Sequence, residues 1–206
     1  MKIFEKEQYV CEVCGFNIIG YYPSRCPFCG ASNENFITAK ECSEKYIVIE
    51  KCPSTFNSKV KPMDFLLFTH HHFIAAANLY KEYFGAEMLI HINDSRNYIA
   101  DKYEFEQKFE FDFTLHNIDA YHIDGHTSGF TMYIYEKTLF ICDYVFVGGS
   151  FYKFNPYGPY ERTREGSKKL LNIISNKNIE YVCGYDYSLD YGNWFEKFKK
   201  LINKNS

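Results

Sequence analysis

Two groups of residues in this chain have the types and spacing that metal chemistry needs. Thr69-His70-His71-His72 follows the apolar run Phe65-Leu66-Leu67-Phe68, which reads as a buried strand delivering His70 and His72 into the turn beyond its end. Residues two apart in an extended segment share a side, so His70 and His72 can aim two imidazoles at one ion while His71 points elsewhere. The second group lies nearer the start of the chain. Cys11-Glu12-Val13-Cys14 and Cys26-Pro27-Phe28-Cys29 are two Cys-x-x-Cys pairs separated by a short aromatic loop that contains proline and glycine. Each pair can fold into a knuckle whose backbone N–H groups point at the thiolates, and four sulfurs then close tetrahedrally around one ion. The spacing makes Cys11, Cys14, Cys26 and Cys29 ligands of iron or zinc, since both metals use the same knuckles.

Together with the rest of the chain, the histidine run resembles the metallo-β-lactamase fold, whose signature at this point is Thr-His-x-His-x-Asp-His. Thr69, His70 and His72 match it, whereas Ile74 stands where the Asp belongs and Ala75 where the next His belongs. Gly125-His126-Thr127-Ser128-Gly129 is similar to the Gly-His-Thr-x-Gly of glyoxalase II and persulfide dioxygenase. The run from Leu139 to Phe146 resembles the strand that carries the family's metal-bridging aspartate, here Asp143. Where the family usually has Gly-His, this chain has Gly184-Tyr185-Asp186. The four ordered motifs span roughly residues 44–190.

The resemblance implies a ligand count. His70, His72 and His126 would form the family's three-histidine site and Asp143 could complete it, while the second site has lost its own Asp and His ligands. One ion is expected, Fe or Zn, since imidazoles with one carboxylate suit either. Such an ion would turn a bound water into a hydroxide near neutral pH. Ile74 replaces the carboxylate that commonly orients this water, which counts against ordinary hydrolysis. Asp143, with Tyr185 and Asp186 from the last motif, are the catalytic candidates. The plain alternative is a degenerate, empty site; His91, His116 and His122 read as surface or satisfied core residues.

The cysteine pairs, with an aromatic residue before the first Cys and the steps Cys14-Gly15-Phe16 and Cys26-Pro27-Phe28-Cys29-Gly30, resemble rubredoxin in the short form found in rubrerythrin, over about residues 7–34. The module is too short to build its own hydrophobic core, so a metal must supply much of its folding energy. The resemblance implies an Fe(Cys)4 one-electron carrier; the plainer reading is a zinc-stapled knob.

Residue periodicity marks the elements that position these residues. A boundary falls near residues 33–43 and divides a rubredoxin-like module, residues 1–38, from a metallo-β-lactamase-like domain, residues 39–206. Strands are expected at 46–49, 88–92, 120–123, 131–135, 139–142 and 181–183, and helices at 74–84, 166–175 and 193–202. The fold expected is α/β in the α+β sense, a shortened four-layered αββα sandwich. Residues 151–162, aromatic but carrying Pro156, Gly158 and Pro159, read as a loop.

The chain has 206 residues, 46% of them hydrophobic, enough for a mid-sized domain with a small appendage. A net charge of −3 and a lysine cluster confined to an amphipathic terminal helix argue against nucleic-acid binding. No signal peptide or continuous apolar span is read, which places the chain in the cytoplasm. Among the eight cysteines, Cys42, Cys52, Cys142 and Cys183 are dispersed, and the last two read as buried free thiols. Aromatic residues at 19% make a homodimer reasonable. Two functions follow. One is a redox enzyme in which the Fe(Cys)4 centre serves a mononuclear iron acting on oxygen, nitric oxide or a sulfur species, with an electron-transfer partner protein. The other is a mononuclear zinc hydrolase, or an inactive relative that binds a ligand or partner.

Overall fold

The computed structural model describes residues 7–13, 16–27, 29–45, 62–74, 76–148 and 151–203. Cys14, Cys52 and the expected strand at 46–49 lie outside them. The chain separates into two compact units, Met1–Leu89 with Arg96–Gln107, and Ile90–Ser95 with Lys108–Ser206.

The first unit opens with a three-stranded antiparallel sheet in which β1 (Gln8–Cys11) lies between β2 (Asn17–Ile19) and β3 (Phe36–Thr38). Among the described residues, Cys11, Ile18, Cys26 and Phe36 are buried together, with Tyr9, Phe16 and Ala31 partly buried against them. Helix α1 (Ala39–Lys45) follows directly. Thr38 and Glu41 close its first turn, with the Thr38 N–H donating to Glu41 Oε2 at 2.8 Å and the Glu41 N–H to Thr38 Oγ1 at 3.2 Å; this is the reciprocal capping box. Further on, β4 (Phe65–Leu67) pairs in parallel with β5 (Glu87–His91) through α2 (Ala77–Phe84). Gly85 ends α2 in the left-handed conformation at φ +72°, the usual glycine stop.

Residue periodicity places the start of α2 too early. His71–Phe73 form a 3-10 turn and the α-helix begins only at Ala77. The ring of His71 lies 4.4 Å from that of His72, because a tight turn keeps successive side chains close, yet it is His70 and His72, without His71, that bring ligand nitrogens together.

The second unit is built on a six-stranded sheet in the order β14 (Ser188–Asp190), β13 (Tyr181–Gly184), β10 (Thr138–Cys142), β9 (Thr131–Tyr135), β8 (Ile118–His122), β7 (Phe113–Leu115). Before it come α3 (Ile92–Ser95) and β6 (Gln107–Phe109). Strands β7 (Phe113–Leu115), β8 (Ile118–His122), β9 (Thr131–Tyr135) and β10 (Thr138–Cys142) form an antiparallel meander. A separate ribbon pairs β11 (Val145–Gly148) with β12 (Phe151–Phe154). After α4 (Tyr160–Ile174) the chain returns as β13 (Tyr181–Gly184), parallel to β10, and turns back as β14 (Ser188–Asp190) before α5 (Tyr191–Asn203).

Helix α4 buries Thr163, Gly166, Ser167, Leu170 and Ile174, and α5 buries Trp194, Phe198 and Ile202. These spacings put one stripe of each helix inward, where Leu170, Ile174, Trp194, Phe198 and Ile202 join Phe130, Met132, Leu139, Ile141 and Val182 of the sheet side in one core.

Two expectations fail here for local reasons. Residues 151–154 are a strand, not a loop, because Phe151, Tyr152, Lys153 and Phe154 pair one for one with Gly148, Val147, Phe146 and Val145; the proline and glycine lie beyond the last pair. Helix α4 begins at Tyr160 instead of Gly166. Gly166 is a close-approach position inside it, where a Cβ would sit 2.5 Å from the Tyr144 hydroxyl and 2.8 Å from the Asp124 carbonyl.

Candidate metal centres

His126 and Asp143 come from neighbouring strand ends of the second unit. Because β9 and β10 are antiparallel, the loop entering β9 and the turn leaving β10 lie at one end of the sheet, and each carries one of these residues. The motif Gly125-His126-Thr127-Ser128-Gly129 now has a physical reading. Gly125 has φ +114°, and a Cβ there would lie 2.5 Å from the Tyr144 hydroxyl and 3.0 Å from Thr163 Cα, so only glycine fits. Thr127 Oγ1 donates to Asp94 Oδ2 at 2.8 Å, and the Gly129 N–H donates to Asp94 Oδ1 at 3.2 Å. A Cβ on Gly129 would stand 2.8 Å from Asp94 Cγ. The buried carboxylate of α3 thus clamps the loop that presents His126.

Asp143 is aimed by an irregularity. The β10–β13 register shifts between Phe140 and Cys142, and Cys142 takes φ +45°, a left-handed conformation that a side chain rarely adopts. A bulge of this kind re-aims the next side chain. The buried Asp143 places Oδ2 3.5 Å from His126 Nε2. That is too long for a hydrogen bond, but donors about 2.0–2.2 Å from a tetrahedral ion lie roughly 3.3–3.5 Å apart. Asn155, also buried, donates through Nδ2 to Asp143 Oδ2 at 2.8 Å and stands 3.3 Å from His126 Nε2.

Burial pushes the Asp143 carboxyl up to about 7, although its own backbone N–H and the Asn155 amide both pull it down. A carboxyl raised in the folded state favours folding while it is protonated, so this contribution is full below the ordinary value of 3.8 and is lost as pH rises to about 7. Metal-free protein should therefore lose thermal stability across that window. The slope should be smaller in Asp143→Asn; thermal melts showing the same slope in both proteins would refute the assignment.

In the first unit, His70 is extended at φ −169° and His72 sits within the 3-10 turn. Their rings are 4.7 Å apart and nearly perpendicular, and each offers a nitrogen within 4.8 Å of the other's. Thr69 Oγ1 lies 3.0 Å from His70 Nδ1; in the tautomer in which Nδ1 donates to it, Nε2 is the nitrogen that could bind an ion. Ile74 is buried.

Cys11, Cys26 and Cys29 also converge. Cys11 Sγ and Cys29 Sγ are 3.7 Å apart, far beyond a disulfide bond. A tetrahedral ion with metal–sulfur bonds of about 2.3 Å holds its sulfurs about 3.8 Å apart, so the separation fits a shared metal. Two backbone turns place these thiols: the Cys11 N–H donates to Phe16 O at 2.9 Å, and Cys26 O accepts the Gly30 N–H at 3.0 Å.

Tyr185 and Asp186 are exposed in the turn between β13 and β14. His91 is a satisfied core histidine. Its Nδ1 accepts the Asn93 N–H at 3.2 Å and its Nε2 lies 3.3 Å from Glu110 O. Burial, then the charge of the His122 ring stacked 3.9 Å away, lowers its pKa.

Solved structures place this architecture among known ones. The DIM-1 metallo-β-lactamase aligns with a TM-score of 0.54 at 16% identity, covering 68% of this chain and 67% of that one. This chain has the metallo-β-lactamase fold. The mixed α+β order of elements agrees with that sandwich. A metallo-β-lactamase superfamily protein from the archaeon Sulfolobus tokodaii aligns at 0.51 with 14% identity, over 71% of this chain and 69% of that one. The protein TTHA1623, solved in a di-iron-bound form, aligns at 0.50 with 18% identity, over 61% and 71%. No protein-family model and no curated protein sequence matches. At these identities the metallo-β-lactamase likeness carries the fold alone.

Asp94 and Asn155 escaped the sequence reading. Neither belongs to a motif, and an isolated Asn or Asp is far more often a turn residue. The available signal for Asn155 was its place twelve residues after Asp143, just beyond an alternating aromatic run.

Proposed function

We propose that this chain is a metal-dependent, redox-linked oxidoreductase. In this reading, which the resemblance of the ligand motifs supplies, His70, His72, His126 and Asp143 hold one iron ion, and Cys11, Cys14, Cys26 and Cys29 hold another in a rubredoxin-type centre. The thiolate-bound iron supplies one-electron transfer, and the second ion activates a small substrate such as oxygen, nitric oxide or a sulfur species. The protein's own part is positional. Asp94 holds the His126 loop, the β10 bulge aims Asp143, and Thr69 orients His70. Tyr185 and Asp186 are offered as the residues facing substrate.

The observation behind the thiolate centre is the 3.7 Å separation of Cys11 and Cys29 sulfurs within a cluster of three cysteines, a spacing that iron and zinc both fit; the choice of iron rests on the resemblance to rubredoxin. Thiolate-bound zinc would staple the module and nothing more, whereas thiolate-bound iron beside a second iron site would be an electron supply. Residues 1–38 form the electron-transfer module and residues 39–206 the catalytic domain. A cytoplasmic setting and a partner protein that delivers electrons complete the proposal. Among the described residues no helix is long and apolar enough to cross a membrane.

The likeness to the DIM-1 metallo-β-lactamase favours a second reading, a mononuclear zinc hydrolase. Against it stands Ile74, buried and apolar where a water-orienting carboxylate is needed. Metal analysis and the visible spectrum of anaerobically purified protein decide between them. Two equivalents of iron and a ferric-thiolate colour are expected; zinc alone, with no visible band, would overturn the redox reading.

A further inference from the structure

Asn155 is held at three points. Its backbone N–H donates to Tyr144 O at 3.2 Å, its Oδ1 accepts the Tyr157 N–H at 2.8 Å, and its Nδ2 donates to Asp143 Oδ2 at 2.8 Å. A main-chain N–H can only donate, so Tyr157 fixes which end of the amide is oxygen and which is nitrogen. The NH2 group must then face Asp143 and His126, and it cannot turn away without giving up the main-chain bond. The bond to Tyr144 fastens Asn155 to the residue that follows Asp143, so amide and carboxylate share one backbone frame.

The segment beyond Asn155 supports the other member of the pair. A Cβ on Gly158 would meet His126 O at 2.7 Å and His126 Nδ1 at 2.8 Å. Residues 155–158 thus press against both His126 and Asp143, with the amide at their junction.

We propose that Asn155 is a positioning residue that holds the Asp143 carboxylate, beside His126, in the orientation that receives a metal ion. This rests on the metal-binding role proposed for that pair. A carboxylate oxygen has lone pairs to spare, so Oδ2 can keep the Asn155 bond and bind a cation as well; an imidazole nitrogen has one. The amide therefore stays on Asp143 when the ion is bound and yields only its contact with His126. Partners of this kind contribute about 10–100-fold to metal affinity.

The test uses Co²⁺ as the probe on full-length, metal-free protein, comparing wild type with Asn155→Leu, Asn155→Ser and His126→Ala. Thiolate–cobalt charge-transfer bands report the cysteine cluster, and the weaker visible bands report the histidine site. Asn155→Leu should weaken Co²⁺ binding at the histidine site by about 10–100-fold and shift its visible bands, with the thiolate bands unchanged. Asn155→Ser, which fills less space and is too short to reach the carboxylate, should show the same loss, so misfolding of one variant does not decide the result. Wild-type affinity and an unshifted spectrum in a folded variant would overturn the role of Asn155. If His126→Ala also binds Co²⁺ like wild type, it is the metal-site reading that falls.

Discussion

Asp143→Ala protein is expected to purify with one metal equivalent where the wild type carries two, and to have no turnover. Asp143 is the one carboxylate among the proposed ligands of the histidine site, and a neutral water in the space left by its buried side chain would not restore the negative charge. Loss of a direct ligand should exceed the roughly 10–100-fold cost of losing a ligand's hydrogen-bond partner. The remaining equivalent should be the thiolate-bound one, because the cysteine cluster draws on a different set of residues. Elemental analysis beside the visible spectrum reads both sites at once. Two equivalents retained in Asp143→Ala would remove Asp143 from the ligand set.

The second large effect is expected from Cys26→Ser. Cys11 and Cys26 are buried together with Ile18 and Phe36, so loss of the thiolate-bound metal removes a tie within the cluster that joins β1, β2 and β3. Structural metal sites of this type contribute on the order of 10 kcal/mol to folding. The variant should lose one metal equivalent and the thiolate colour. Amide hydrogen exchange should become fast at Tyr9, Val10 and Cys11, while the six-stranded sheet keeps its protection. Fast exchange throughout the chain would show that the module is no separable unit. Full turnover of Cys29→Ser with every reductant tested would make the cysteine centre structural and favour the zinc hydrolase.

What could be read from the sequence was local and patterned. The expected strand at 139–142 shows in alternating burial, that at 131–135 is a short run buried on both faces, and the amphipathic α5 follows the i, i+4, i+8 series Trp194, Phe198, Ile202, signals that survive without knowledge of the rest of the chain. Gly125 and Gly129 were legible as parts of a motif, yet the reason for them was not: it lies in Tyr144 and Asp94, which are distant in sequence. The same holds for β12. Its pairing with β11 decides its conformation, and a partner strand is invisible to a window that sees only proline and glycine beyond it. The 3-10 turn at His71–Phe73 was missed because three histidines and aromatics in a row fit strand and helix periods equally well.

The parallel pairing of β10 with β13 bears on how the protein is made. Every strand of the meander finds its partner within a few residues, but the edge of β10 that leads to Asp143 stays open until Tyr181–Gly184 arrive, after α4 has been laid down. Contacts of such long sequence separation form late, since the intervening chain must first be closed into a loop. On the ribosome, His126 and Asp143 would emerge well before the strand that steadies them. Productive metal loading is thus a late event in the life of the nascent chain, and metal supplied too early meets a half-built site whose β10 edge is open to pairing with other chains.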